Sequence, residues 1–148
     1  MGCPWCIVGQ HRLDKVLAER FPELVVEIHH HPVLLLPDAP ADGLYIPDLL
    51  RIRYGITDPK VASARPEAEA RASGLLLDLG RQPMAYATQA AHALILAARE
   101  RGTQHRLAVW TRSNVIHMEF STSHIMLHAR VNPELAAPSR LRSDSAVA

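Results

Sequence analysis

Two cysteines stand at Cys3 and Cys6, separated only by Pro4 and Trp5, and the chain runs from them straight into a stretch with helical periodicity. These are the only cysteines. A disulfide between them closes almost no loop, so it cannot serve as a staple for a larger fold. A C-x-x-C pair is then either redox-active or half of a zinc site. Zinc usually takes four ligands, and with no second C-x-x-C the rest would have to be histidines. Redox chemistry is the stronger reading.

The residues that follow support it. Ile7 to Arg20 reads as a helix, with Val8, Leu13, Val16 and Leu17 on one side. His11, Arg12, Asp14, Lys15, Glu19 and Arg20 fall largely on the other, and Pro22 ends it. The pair thus sits at a helix N-terminus, where unpaired N–H groups and the positive dipole end stabilise a thiolate. A thiol pKa near about 8.5 falls to between about 3.5 and 7 in such motifs. Cys3, outside the first turn, is the expected nucleophile. Cys6, inside it, is the expected resolving thiol and is expected to be shielded. Pro4 and Trp5 fix the backbone between them and modulate the site.

Length and charge bound the rest. A chain of 148 residues is one domain at roughly 150 residues per domain. Sixteen Lys and Arg against fifteen Asp and Glu leave a net charge of +1, so no basic field exists to draw nucleic acid or an anionic membrane. The longest apolar runs, Val33 to Leu36 and Ala93 to Ala98, fall far short of the roughly 18 residues of a membrane helix. No basic stretch followed by an apolar one marks a signal peptide. The expectation is a soluble, cytoplasmic chain.

Leu24 to His29, rich in Val and Ile, reads as a strand. Pro32, Pro37 and Pro40 impose an extended or turning connection, and Asp42-Gly43 is a turn. Ile46 to Tyr54 reads as a helix with Pro47 in its first turn and Gly55 past its end. Asp58-Pro59 is an N-cap followed by a first helical residue, and that helix runs toward Ser73 and stops at Gly74. Pro66 is expected to kink or split it. Leu75 to Leu79 is apolar without a clear type. Pro83 to Arg101 reads as the longest helix, striped by Ala87, Ala91, Leu94, Ile95 and Ala98 and closed by Gly102. A further helix spans Gln104 to Trp110. From Thr111 the period is lost, and residues 111–148 read as a poorly ordered tail.

The histidines are read as structural. His29 and His31 share a face of the expected strand, but no carboxylate or cysteine lies nearby to complete a metal site. His124 and His128 lack the glutamate of a zinc-protease motif. His92 reads as a packed, hydrogen-bonded histidine. Arg51, Arg53, Arg99 and Arg101 read as solvated helix faces.

Cys3-Pro4-Trp5-Cys6, with Gly9, Arg12-Leu13 and Leu17, resembles the DsbA-type thiol–disulfide oxidoreductases, closest to their FrnE-like branch. Their neighbours are the 2-hydroxychromene-2-carboxylate isomerases. The resemblance continues at His31 to Asp38, Leu50 to Gly55, Gly74-Leu75, Thr88, Ala91-His92, Leu94 and Ala98 to Gly102. It covers about Cys3 to Trp110 and implies a partial thioredoxin-like domain over residues 1–110, with a helical insertion at about 44–110. It further implies exchange with protein or small-molecule thiols and disulfides through Cys3 and Cys6, with no cofactor beyond that pair.

Three departures shape the expectation. The family sets a strand immediately before its CPWC, and here only Met1 and Gly2 precede it. Its V-P-T-like cis-proline loop has no counterpart after Trp110, and its Asn before the Thr is Ala87 here. The expected object is an α/β thioredoxin-like fragment, truncated at both ends. It should be predominantly helical, with at most one or two short strands, because a lone strand has no ladder to satisfy its backbone. Its rivals are an inactive helical module acting through a partner, and a glutathione-dependent isomerase. The latter is disfavoured because those relatives keep a serine where this chain has a cysteine.

Overall fold

The computed structural model describes residues 3–115. Helix α1, Pro4–Arg20, opens with Pro4 in its first turn, where a missing N–H costs nothing. The Phe21 N–H closes it on the Leu17 carbonyl. Strand β1, Leu44–Tyr45, leads directly into helix α2, Ile46–Tyr54. Gly55, at φ +69°, caps α2 in the left-handed conformation that glycine takes without penalty. Helix α3, Pro59–Ala72, starts on the Asp58 side chain, which accepts from the Lys60 N–H. A 3₁₀ turn over Leu79–Arg81 precedes strand β2, Met84–Ala85, and then helices α4, Gln89–Ala97, and α5, Gln104–Val115.

The two strands pair antiparallel, Leu44 opposite Ala85 and Tyr45 opposite Met84. Gly43 makes this approach possible. Its φ is +88°, and a Cβ there would stand 2.8 Å from the Tyr86 ring.

Core residues lie on four helices, α1, α3, α4 with its C-cap, and α5, while α2 buries none. Ile95 and Ala98 pack against Leu107 and Ala108, with Leu94 and Trp110 half-buried beside them. Helix α1 packs on α3 and α5. It does so through Ile7 and Val8, with half-buried His11 and Asp14 along the same side, while Leu13 and Val16 stay exposed. Of the apolar stripe predicted for this helix, Val8 is buried and Leu17 half-buried, while Leu13 and Val16 face out. Polar side chains add to that packing, His11 reaching Ser73 at the C-cap of α3 and Asp14 reaching His105 of α5.

Other expectations change too. Leu24 to His29 forms no strand. No described strand lies beside it, and a single extended segment gains no ladder. Instead the Gln104 side chain, itself buried, brackets His30. Its Oε1 accepts from the His30 N–H at 3.0 Å and its Nε2 donates to the His30 carbonyl at 2.9 Å. The amide thus supplies both bonds of one ladder rung.

Pro83 to Arg101 is not one helix. The Ile46 N–H bonds the Pro83 carbonyl at 2.8 Å, Met84–Ala85 joins the sheet, and the helix waits until Gln89. Helix α3 runs through the buried Pro66 without splitting. Helix α5 continues past Trp110 to Val115, and Thr111 is only 1% exposed, its hydroxyl donating to the Leu107 carbonyl. The change of character at Thr111 thus does not mark the end of packed structure. His124 and His128 lie outside the described residues.

Candidate functional site

Cys3 is the N-cap of α1, with extended backbone at φ −77° and ψ 110°. Its carbonyl accepts from the N–H groups of Cys6 at 3.1 Å and Ile7 at 3.3 Å, so the first turn closes directly over it. Its side chain accepts no capping hydrogen bond. Both cysteines are free thiols.

Their exposure reverses the sequence expectation. Cys6 is exposed and Cys3 is half-buried. The first turn of α1 does not shield Cys6. Their chemical ranking is a separate matter. Partial burial of its sulfur pushes the Cys6 thiol up, and a hydrogen bond to Cys3 and the negative charge of Cys3 raise it further. The Arg112 cation opposes this shift. The Cys6 thiol is thus held above its ordinary range.

Pro4 and Trp5 lie between the sulfurs as expected from the motif. Trp5 is 47% exposed. The Arg65 guanidinium of α3 stands over its ring at 5.6 Å from the centroid, a cation–π contact that holds one side of the indole.

The face of α1 that carries Cys6 continues through Gln10 and Asp14, one and two turns further on. Arg112 Nη1 donates to Gln10 Oε1 at 3.0 Å, and Gln10 Nε2 donates to Asp14 Oδ1 at 2.9 Å. His105 Nε2 stands 3.1 Å from the same carboxylate oxygen. A carboxylate only accepts, so this nitrogen carries a proton and leaves Nδ1 of a neutral His105 as an acceptor. His30 Nε2 then donates to it at 2.9 Å. One polar chain runs from α5 across α1 to the segment before Pro32.

His30 and His92 border a half-open cleft of about 30 Å³, with Arg112, Ile95, Leu96 and Ala108. Burial, followed by the charges of Arg112 and His105, lowers His30 to about 4 against the pull of Asp14. Burial above all, with the Arg112 charge among the lesser causes, also lowers His92. His92 is half-buried, but its Nδ1 is inaccessible and has no hydrogen-bond partner, contrary to the hydrogen-bonded histidine expected from sequence.

Sequence reasoning missed Gln10, Asp14, His30, His105 and Arg112. The spacing of Cys6, Gln10 and Asp14 at four residues was a signal that they share a face. Nothing local marked Arg112, which lies 102 residues from Gln10. Among the described residues no group of three or more His, Cys, Asp or Glu side chains could hold a metal ion. No described helix is long and apolar enough to cross a membrane.

Comparison with known families matches residues 1–121 to the DSBA-like thioredoxin domain. Searches of curated proteins and of solved structures gave no significant match. The matched span takes in the cysteine pair, all five helices and Arg112, and so the chain belongs to the DSBA-like thioredoxin domain family, whose members are of the thiol–disulfide oxidoreductase type.

Proposed function

We propose that this chain exchanges disulfides through Cys3 and Cys6, with Cys3 as nucleophile and Cys6 as resolving thiol. The observation that carries this reading is the pair of free cysteines one turn apart at the start of α1, where the first turn closes over Cys3. Membership of the DSBA-like family supports the reaction type. Pro4 and Trp5 act as modulators by setting the turn between the sulfurs.

The steps balance as follows. The Cys3 thiolate attacks one sulfur of a substrate disulfide, forming a mixed disulfide and releasing the other substrate sulfur as a thiolate, which takes a proton. Cys6 then loses its proton and attacks the Cys3 sulfur. A Cys3–Cys6 disulfide forms and the second substrate thiol leaves. The substrate gains two electrons and the cysteine pair loses two. The two thiols share one helical turn, so the second attack is intramolecular and outruns capture of the mixed disulfide by a free thiol.

The test is reduction of insulin disulfides by dithiothreitol, with the chain as catalyst. The parent shortens the lag before insulin precipitates. Cys3→Ser abolishes the effect, and Cys6→Ser leaves a mixed disulfide that mass spectrometry detects on Cys3. Equal catalysis by Cys3→Ser and parent would overturn the proposal.

A further inference from the structure

We infer that the cleft bordered by His30, His92 and Arg112 is a subsite for the carboxylate of a small acidic thiol or disulfide; this rests on the exchange reaction proposed above and names its substrate class. Four observations converge. His92 Nδ1 is inaccessible and unpartnered. Such an atom loses its hydration without compensation, and a ligand oxygen or water supplies what the protein does not. The cleft holds about 30 Å³, where a water needs about 10–15 Å³. A carboxylate head group fits and a bulky group does not.

The charge around the cleft selects the sign of the ligand. Arg112 lines it, and no carboxylate does. Arg112 Nη1 donates to Gln10, and a guanidinium presents a planar fork that matches a carboxylate. Asp14, the acid behind the cleft, is taken up by Gln10 and His105. Ile95, Leu96 and Ala108 form an apolar wall for the methylene carbons of the ligand.

Position ties the cleft to the thiols. Arg112 is bonded to Gln10, one turn past Cys6 on the same helix face. Its charge acts on Cys6 as well as on both cleft histidines. A carboxylate held by Arg112 would thus orient a sulfur a few bonds away toward the start of α1.

Two measurements on the full chain test this. In the first, the His92 ring signals are followed by NMR during titration with propionate or with propionamide, neither of which has a sulfur. Propionate should shift them saturably and propionamide should not. Arg112→Gln should weaken the propionate response about tenfold, and Arg112→Lys should restore part of it. In the second, exchange rates are compared for dithiodipropionate and its diamide. The parent should favour the dianion, and Arg112→Gln should erase that preference. If propionate produces no saturable shift, or propionamide matches it, the subsite is overturned, even where both disulfides exchange normally. If neither disulfide exchanges while propionate still binds, the redox reading fails and the carboxylate site stands.

Discussion

The His30 and His105 rings stack with centroids 5.2 Å apart and planes inclined by 19°, and a hydrogen bond joins Nε2 of the first to Nδ1 of the second at 2.9 Å. The bond holds only while His105 Nδ1 is free to accept. Two protonated rings at this distance would repel.

The first prediction concerns acid stability. His30 falls from 6.5 to about 4 on folding, so the unfolded chain binds the proton more readily. Its stability contribution is present in full above about pH 6.5 and is lost as pH falls toward 4. His92, lowered in the same direction, adds to that loss. His30 is only partly buried, and solvent screening reduces its share to about 1 kcal/mol. Urea midpoints measured across this window should decline with acid, and His30→Phe should flatten the decline. A variant curve parallel to the parent would show that the histidine pair is not responsible.

The second prediction separates the two sulfurs. Cys6 is the more exposed residue, yet its thiol is raised by burial of the sulfur and by Cys3. Iodoacetamide at pH 7, quenched early and mapped by mass spectrometry, should therefore label Cys3 first. Arg112 opposes the Cys6 shift, so Arg112→Gln should slow Cys6 alkylation further. Faster labelling of Cys6 would mean that access outweighs protonation here.

Where signals were local, the sequence was readable. Pro47 and Gly55 bracket α2, and Asp58-Pro59 opens α3, because capping depends only on neighbours along the chain. The family was legible in the Cys3–Cys6 motif for the same reason. Leu24 to His29 has strand composition, but a strand is a relation between two segments, and Gln104 took the partner's place. Pro83 to Ala87 was absorbed into an alanine-rich helix because the competing bond comes from Ile46, on a segment distant along the chain. The cleft was invisible for a related reason: His30, His92 and Arg112 meet only once α4 and α5 have packed.

The third prediction follows from the surface of residues 21–35. Leu24, Val25, Val33 and Leu35 are all exposed, Val25 by 92% and Val33 by 70%. An apolar strip of this kind drives association at high concentration. Val25→Lys and Val33→Lys together should lower the weight-average mass in sedimentation at high protein concentration. They should leave the melting temperature within experimental scatter, since neither side chain is packed. A parent that is already monodisperse under the same conditions would remove the basis for this expectation.

The last prediction weighs the contacts that join α1 to α3. Arg12 Nε donates to Ser73 Oγ at 2.6 Å, and its Nη2 reaches both the Glu69 carbonyl at 3.0 Å and Glu69 Oε2 at 2.6 Å. Ser73 is buried and its hydroxyl also donates to the Glu69 carbonyl, while His11 Nε2 bonds the Ser73 carbonyl at 3.0 Å. The ion pair is open to water and screened by salt, so it contributes little by itself. The bond to the buried hydroxyl does not have that weakness. Arg12→Ala should therefore cost about 1 kcal/mol, largely independent of salt. Glu69→Gln should cost much less, and its effect should vanish at high salt. The Glu69 carboxyl is held below its ordinary range by the Arg12 hydrogen bond and charge, so its small contribution is present above that range and lost as pH falls through the lowered value. Urea midpoints at low and high salt distinguish the two. If Glu69→Gln proves as damaging as Arg12→Ala, the surface ion pair and not the Ser73 bond holds these helices together.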